Sequence, residues 1–329
     1  MATSIINWNT ATTSGMVRLP THNIFLRAAG LKRNPNDPSV LIIPGLSAGS
    51  ASWLTVFRLI SSFARVYVYD RSGQGKSDPA PADGPITAAN MALELKLLLD
   101  TAGVSGPWVV VAHGYGGIIA REFGPLMNET EDDEIWNGVV AMVLVHCVTE
   151  YTKDVRPRGL QKAFWGLFDG GEGSFPEIVN MEERHRMNAE EWAAYNDKGT
   201  EEEKKTWDEA SMREMAGVAV SVEELREKQQ FEKYVMGFNP VIVIKGNTTE
   251  EVKKVLDWAE EGGKGTEEQR ALVRKWLGME EEETRVQKDQ LKLTYAGVMV
   301  HALKSGHDVQ LTQPELIVEE VKDIFNFLE

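Results

Sequence analysis

A tight turn between an apolar strand and a helix constrains this chain more than any other feature. Residues Trp108-Val109-Val110-Val111-Ala112 are continuously apolar and rich in β-branched side chains, followed by His113-Gly114-Tyr115-Gly116-Gly117 and then Ile118-Ile119. A short apolar run bounded by turn residues reads as a strand buried on both faces, and such strands belong to parallel sheets covered by helices. Small residues at Ala112, Gly116 and Gly117 permit a strand to reverse abruptly into a packed helix.

The surrounding sequence repeats the same grammar. Residues 15–29 read as a hairpin turning near Pro20 to Asn23. Val40 to Ile43 and Arg65 to Asp70 read as strands, the second running into the turn-rich segment Arg71 to Asp78. Helical spacing is expected over 86–102, broken by Gly103, and over 118–123, with a further strand over 139–148. From Tyr151 to Gly237 no buried strand is legible, and the segment is helical, charged and aromatic, with Trp165, Trp192 and Trp207. Strand grammar resumes at Pro240 to Asn247, followed by a charged helical stretch over 249–291, a last strand near 298–303 and a terminal helix over 314–328. Strands alternating with helices give βαβ units and a mostly parallel sheet. The expected organisation is a core in two blocks, 1–150 and 238–329, around a helical insertion at 151–237.

Charge and composition exclude several classes of partner. The chain of 329 residues carries 35 basic and 50 acidic side chains, a net charge of −15. Nucleic acids and anionic membranes need basic patches, so neither is expected as a partner. The acidic clusters Glu131 to Glu134 and Glu280 to Glu283 read as solvated loop or helix faces. The single cysteine, Cys147, rules out a disulfide within the chain, and no histidine or cysteine spacing suggests a structural zinc site. The apolar run 139–148 is far below the roughly 18 residues of a membrane-spanning helix. Met1 to Trp8 has no basic start and no long apolar stretch, so no secretory signal is expected and the location reads as cytoplasmic. Oligomeric state is not legible.

Four segments together carry a family resemblance. They are Pro44-Gly45-Leu46-Ser47-Ala48-Gly49-Ser50-Ala51-Ser52-Trp53, Tyr69-Asp70-Arg71-Ser72-Gly73-Gln74-Gly75-Lys76-Ser77-Asp78, the turn around Gly114, and Ser305-Gly306-His307-Asp308-Val309-Gln310-Leu311. In this order and spacing the chain resembles the α/β-hydrolase superfamily, in particular small fungal-type hydrolases with a helical lid. The turn has the shape of a nucleophile elbow, G-x-S-x-G, whose central residue occupies a strained backbone position.

The resemblance implies an acyl-transfer triad in the order nucleophile, acid, histidine, acting on a small, largely apolar ester or carbonyl compound without a cofactor or metal. Gly114 stands at the nucleophile position and has no side chain, so an acyl-enzyme cannot form there. His307 matches the histidine. The oxyanion donors are expected from the backbones of Leu46 and Tyr115, with Gly45 and Ser47 flanking the substrate; Pro44 replaces a histidine often seen in that loop. For the acid, Glu150 is the first candidate and Glu250 the second, because Asn247 is neutral and Glu250 or Glu251 would have to reach in.

Gly114 leaves three readings open. The first is a natural enzyme in which His307 performs general acid–base chemistry on a carbonyl compound or on water, polarised by the oxyanion loops. Fungal members of this superfamily from polyketide–peptide clusters are assigned ring-forming condensations such as a Knoevenagel closure, which suits a missing nucleophile and points to specialised metabolism. The second is a serine esterase or lactonase whose nucleophile has been replaced. The third is a pseudoenzyme that binds a small molecule. Several nearby residues have simpler expectations: His113, His185 and His301 as packing or surface residues, Cys147 as an inert core thiol rather than a rescue nucleophile, and Asp70 and Arg71 as local braces. The aromatic residues of the insertion are expected mainly as core between its helices.

Overall fold

The computed structural model describes residues 6–34, 36–81, 86–128, 138–171, 173–197 and 199–328. The acidic cluster Glu131 to Glu134 and the first five residues lie outside them. The first block runs β1 (Thr13–Arg18), β2 (Asn23–Ala29), β3 (Ser39–Ile43), α1 (Leu54–Ile60), β4 (Val66–Tyr69), α2 (Ala88–Ala102), β5 (Trp108–His113), α3 (Gly116–Asn128) and β6 (Val139–Val145). The insertion holds α4 (Thr152–Val155), α5 (Leu160–Gly166), α6 (Phe175–Ile178), α7 (Met181–Arg184), α8 (Ala189–Asn196), α9 (Glu201–Lys228) and α10 (Gln230–Lys233). The second block runs β7 (Val241–Gly246), α11 (Thr248–Glu261), α12 (Glu267–Trp276), α13 (Glu280–Asp289), β8 (Gly297–Ala302), α14 (Val309–Thr312) and α15 (Pro314–Leu328).

The eight strands form one sheet in the order β1-β2-β4-β3-β5-β6-β7-β8. The pairs β1–β2 and β2–β4 are antiparallel and the remaining pairs parallel. Side-chain alternation along the strands separates two cores. Leu41, Ile43, Val110, Ala112 and Leu144 face α2 and α3, where Leu95, Leu98 and Ile118 meet them. Val40, Ile42, Val109, Val111 and Val143 face α1 and α15, against Val56, Ile60, Ile317 and Val321. Apolar residues at every position are needed because both faces of the central strands exclude water.

Three local readings need correction. The strand over 139–148 stops at Val145, because His146 turns to φ +43° and donates its backbone N–H to the Ile244 carbonyl at 2.7 Å. The helix after the elbow extends from Gly116 to Asn128 and contains Pro125, well beyond 118–123. The acidic run Glu280 to Glu283 is more than a solvated face: it opens α13, where Glu283 is buried and accepts from Arg156 and the Trp276 indole, each at 2.7 Å. Carboxylates in a first helical turn are also favoured by the helix dipole.

The insertion and the second block share a core. Leu160, Phe164 and Leu167 of the α5 region pack with Val252, Val255, Leu256 and Val273 of α11 and α12. The long helix α9 starts with a capping box formed by Thr200 and Glu203 and lies over the loops following β3 and β4. A Cβ on Gly73 would stand 2.6 Å from Ala210, and one on Gly49 would stand 3.5 Å from the Trp207 ring.

Candidate functional site

The elbow is built from residues that cannot be larger. Added Cβ atoms would stand 2.5 Å from the Ile43 carbonyl oxygen at Gly116 and 2.5 Å from Cys147 Cβ at Gly117. Gly114 itself is different. It has φ +53°, a left-handed conformation that glycine adopts readily, yet a Cβ there would meet nothing closer than His307 Cε1 at 3.7 Å and His307 Nε2 at 3.8 Å. The His307 imidazole therefore faces the empty side of Gly114.

His307 follows β8 and is held through its backbone. Its N–H donates to Glu251 at 3.0 Å, and its carbonyl lies 3.0 Å from His113 Nε2. Its ring lies 4.5 Å from that of His113 and 5.1 Å from that of His146, centroid to centroid. Burial, reinforced by the neighbouring His307, holds His113 down to about 4. His146 is also held well below the ordinary histidine value, first by burial and then by His307 and His113. Both flanking rings are thus neutral at pH 7. The His146 Nδ1 accepts the Gly246 N–H at 3.1 Å, so its proton resides on Nε2.

The acids fall differently from expectation. Glu150 does not meet His307: both its oxygens are engaged by Arg121, at 2.6 and 2.8 Å, in a fully buried pair. Arg121 also donates to Gln230 at 3.0 Å and lies over the Phe231 ring, so it joins the start of the insertion to its end. Glu250 is exposed and lies 3.4 Å from Lys254. The residue that reaches in is Glu251, which is buried, pairs with Arg184 at 3.1 Å and has its carboxyl raised above the ordinary range by burial. Gly306 leaves the room for it, since a Cβ there would overlap the Glu251 carboxylate. Asp308 is the carboxylate that comes within 4.8 Å of ring nitrogens of both His113 and His307. Among the described residues this trio is the one grouping that could hold a metal ion, but the His113 Nε2 is already hydrogen-bonded to the His307 carbonyl.

The loop after β3 approaches Gly114 from the other side. A Cβ on Gly45 would lie 2.8 Å from His113 Nδ1, so this close approach requires glycine. Arg71, buried, donates to the carbonyls of Pro44 at 2.8 Å and Gly45 at 2.5 Å. It also pairs with Glu214 of α9 at 2.7 and 3.1 Å. Glu214 in turn accepts the Ser47 N–H at 2.9 Å, at a residue with φ +53°. The Ser47 hydroxyl oxygen is buried without a partner among the described residues. Asp70 braces the same region by accepting the N–H groups of Ser50 at 2.5 Å and Lys76 at 3.0 Å. Among the described residues neither the Leu46 N–H nor the Tyr115 N–H has an acceptor in the protein. The Tyr115 hydroxyl donates to Ser221 of α9 at 2.8 Å.

The remaining candidates are structural in their contacts. Cys147 is buried, directs its thiol to the Ala112 carbonyl at 3.2 Å and is pushed far up by burial, which suppresses the thiolate. His185 stacks on Trp192 at 3.8 Å and His301 is exposed on β8. Glu214 and Ser221 were not legible as site residues. They belong to the buried stripe Ala210, Glu214, Gly217, Ser221 and Leu225 of α9, a helical spacing whose small and polar members hide it as a packing face.

Comparisons with known proteins agree with this architecture. Residues 40–320 match the sequence model of the Alpha/beta hydrolase family. The chain is 30% identical over 305 residues to an "AB hydrolase superfamily protein" of Gibberella zeae, covering 92% of this chain and 90% of that one. It is 33% identical over 325 residues to "Probable transporter efuK" of Hormonema carpetanum, covering 96% of this chain but only 43% of that protein, so it spans less than half the length of that relative. Among solved structures, a "probable hydrolytic enzyme" from Pseudomonas aeruginosa superposes with a TM-score of 0.62 at 17% identity, covering 96% of this chain and 95% of the other. Cfl2 from Burkholderia cenocepacia superposes at 0.54 with 14% identity and 95% coverage of each chain. At these identities the structural likeness is one of fold. No helix among the described residues is long and apolar enough to cross a membrane.

Proposed function

This chain belongs to the alpha/beta hydrolase family, and from that premise we propose that it is an enzyme acting on a small, largely apolar ester or carbonyl compound by non-covalent acid–base chemistry. The observation that carries this reading is the His307 imidazole facing the vacant side of Gly114, 3.8 Å from where a Cβ would stand. His307 Nε2 is the proton acceptor and donor. The N–H groups of Leu46 and Tyr115 form the oxyanion hole, and the Ser47 hydroxyl is the polar substrate contact beside it. Donors aimed at a developing oxyanion contribute about 3–4 kcal/mol each where one has been removed.

Two proton-transfer routes use this geometry. With water at the elbow, His307 takes its proton as the oxygen attacks the carbonyl carbon, and returns the proton to the leaving alkoxide. With a substrate carrying an acidic C–H beside a carbonyl, His307 removes that proton. The resulting enolate oxygen rests on the two N–H groups, the carbanion adds to a second carbonyl and the new alkoxide takes the proton from His307; His307 then removes a second proton from the same carbon and passes it to the departing hydroxyl, which leaves as water. The second route suits a chain without a nucleophile and a place in fungal specialised metabolism. The helices of the insertion act as the lid that shapes the substrate space.

A second reading, a serine esterase whose nucleophile was replaced, is favoured by the clear space around the Gly114 Cβ direction. One experiment tests the site and separates the readings: intact-mass labelling with a fluorophosphonate on the chain as it stands and on Gly114→Ser. A single adduct on Gly114→Ser alone, lost when His307→Ala is added, supports the assigned base and oxyanion hole. Ester turnover by the same variant favours the second reading. A folded Gly114→Ser that takes no adduct overturns the assignment.

A further inference from the structure

Both arms of the proposed oxyanion hole are tied to one face of one helix. On one arm, Glu214 accepts the N–H of Ser47, next in the chain to Leu46, and holds Arg71, which in turn fixes the Pro44 and Gly45 carbonyls. On the other arm, the Tyr115 hydroxyl ends on Ser221. Glu214 and Ser221 are seven residues apart, two helical turns, and so share a face. Neither tie is loose. Glu214 and Ser221 are each 1% exposed, and the Ser221 oxygen is saturated: it accepts from Tyr115 and from the Ala88 N–H and donates to the Gly217 carbonyl at 2.9 Å.

These contacts are more than a cover needs. A helix that only sealed the site would present apolar side chains to it. Here a charged residue is buried against loop backbone, in a place where an unpaired carboxylate would be very costly. The Ser47 backbone also adopts φ +53°, a conformation that a non-glycine residue holds only when its surroundings impose it. Glu214 supplies that imposition through the Ser47 N–H. Resting on the reading given above, we propose that α9 assembles the oxyanion hole, with Glu214 positioning the Leu46 donor and Ser221 positioning the Tyr115 donor. Displacement of α9 therefore dismantles the site as well as uncovering it.

The test uses Gly114→Ser as the parent and measures fluorophosphonate labelling resolved into an affinity and a maximal rate. Tyr115→Phe removes one hydroxyl, and Ser221→Ala removes its acceptor. Each is expected to slow the maximal rate about tenfold with the affinity little changed, and the double variant is expected to be no slower than either single one, as for two ends of one contact. Glu214→Gln is expected to slow labelling further. Because Glu214→Gln leaves Arg71 poorly paired and can compromise folding, Tyr115→Phe is the decisive variant. A purely structural role lowers the melting temperature and leaves the maximal rate at the parent value, and that result overturns the positioning role while leaving the site assignment intact. If the folded parent takes no adduct, the assignment fails and the positioning role falls with it.

Discussion

The Glu251 carboxylate accepts the backbone N–H of His307 at 3.0 Å, so this buried acid holds the histidine by its main chain. Glu251→Gln keeps an acceptor and is expected to retain most stability and most labelling of the Gly114→Ser variant. Glu251→Ala leaves the partly buried His307 N–H unsatisfied, at a cost of about 1 kcal/mol, and frees the His307 loop. Denaturant unfolding and the labelling rate together check this; equal behaviour of the two substitutions would contradict it.

Restoring a side chain at the elbow has a backbone cost. Gly114→Ser must hold φ +53° with a Cβ, which is expected to lower stability by about 1–3 kcal/mol. The space toward His307 is open, so the variant is expected to fold with unchanged far-UV circular dichroism. A variant more stable than the parent would show that the elbow does not impose this conformation.

Glu150 is expected to behave as a structural residue. Glu150→Gln breaks the buried bidentate pair with Arg121 and should destabilise by about 3–5 kcal/mol. Below its lowered melting temperature it should leave the labelling rate of the Gly114→Ser variant within a few-fold. Loss of labelling in a folded Glu150→Gln variant would return Glu150 to the role of triad acid.

Stability should depend on the two buried histidines. His113 and His146 are held below the ordinary histidine value and are neutral when folded, whereas the unfolded chain binds protons at each near pH 6.5. The stabilisation linked to neutral rings is therefore complete above about pH 6.5 and declines as pH falls below it, for His113 down to about 4. Each ring that is neutral when folded and protonated when unfolded adds the slope of one proton to this dependence. Unfolding free energies between pH 7.5 and 4.5 should fall with pH, and His146→Gln should flatten the slope by about one proton. An unchanged slope in His146→Gln would refute its neutral burial.

Much of the fold was legible because it depends on local periodicity. The runs at Val40, Val109, Val139 and Val241 are apolar at every position, which only a strand buried on two faces requires, and the glycines of the elbow mark its reversal. The order of the four family segments likewise placed His307 and Gly114 together before any geometry was known. The partners of these residues were decided by tertiary structure. Glu150 was the nearest carboxylate in sequence after β6, yet Arg121, brought beside it by the packing of α3, engages both its oxygens. Glu214 lies in a helix whose composition reads as solvated, and only the docking of α9 on the loops at Ser47 and Arg71 makes it a buried acceptor. Sequence determines which backbone shapes and cores are affordable, since those depend on neighbours along the chain; which charges meet is set by contacts between separate elements, from 29 positions apart for Arg121 and Glu150 to 167 for Ser47 and Glu214, and these exist only once the sheet and its insertion have packed.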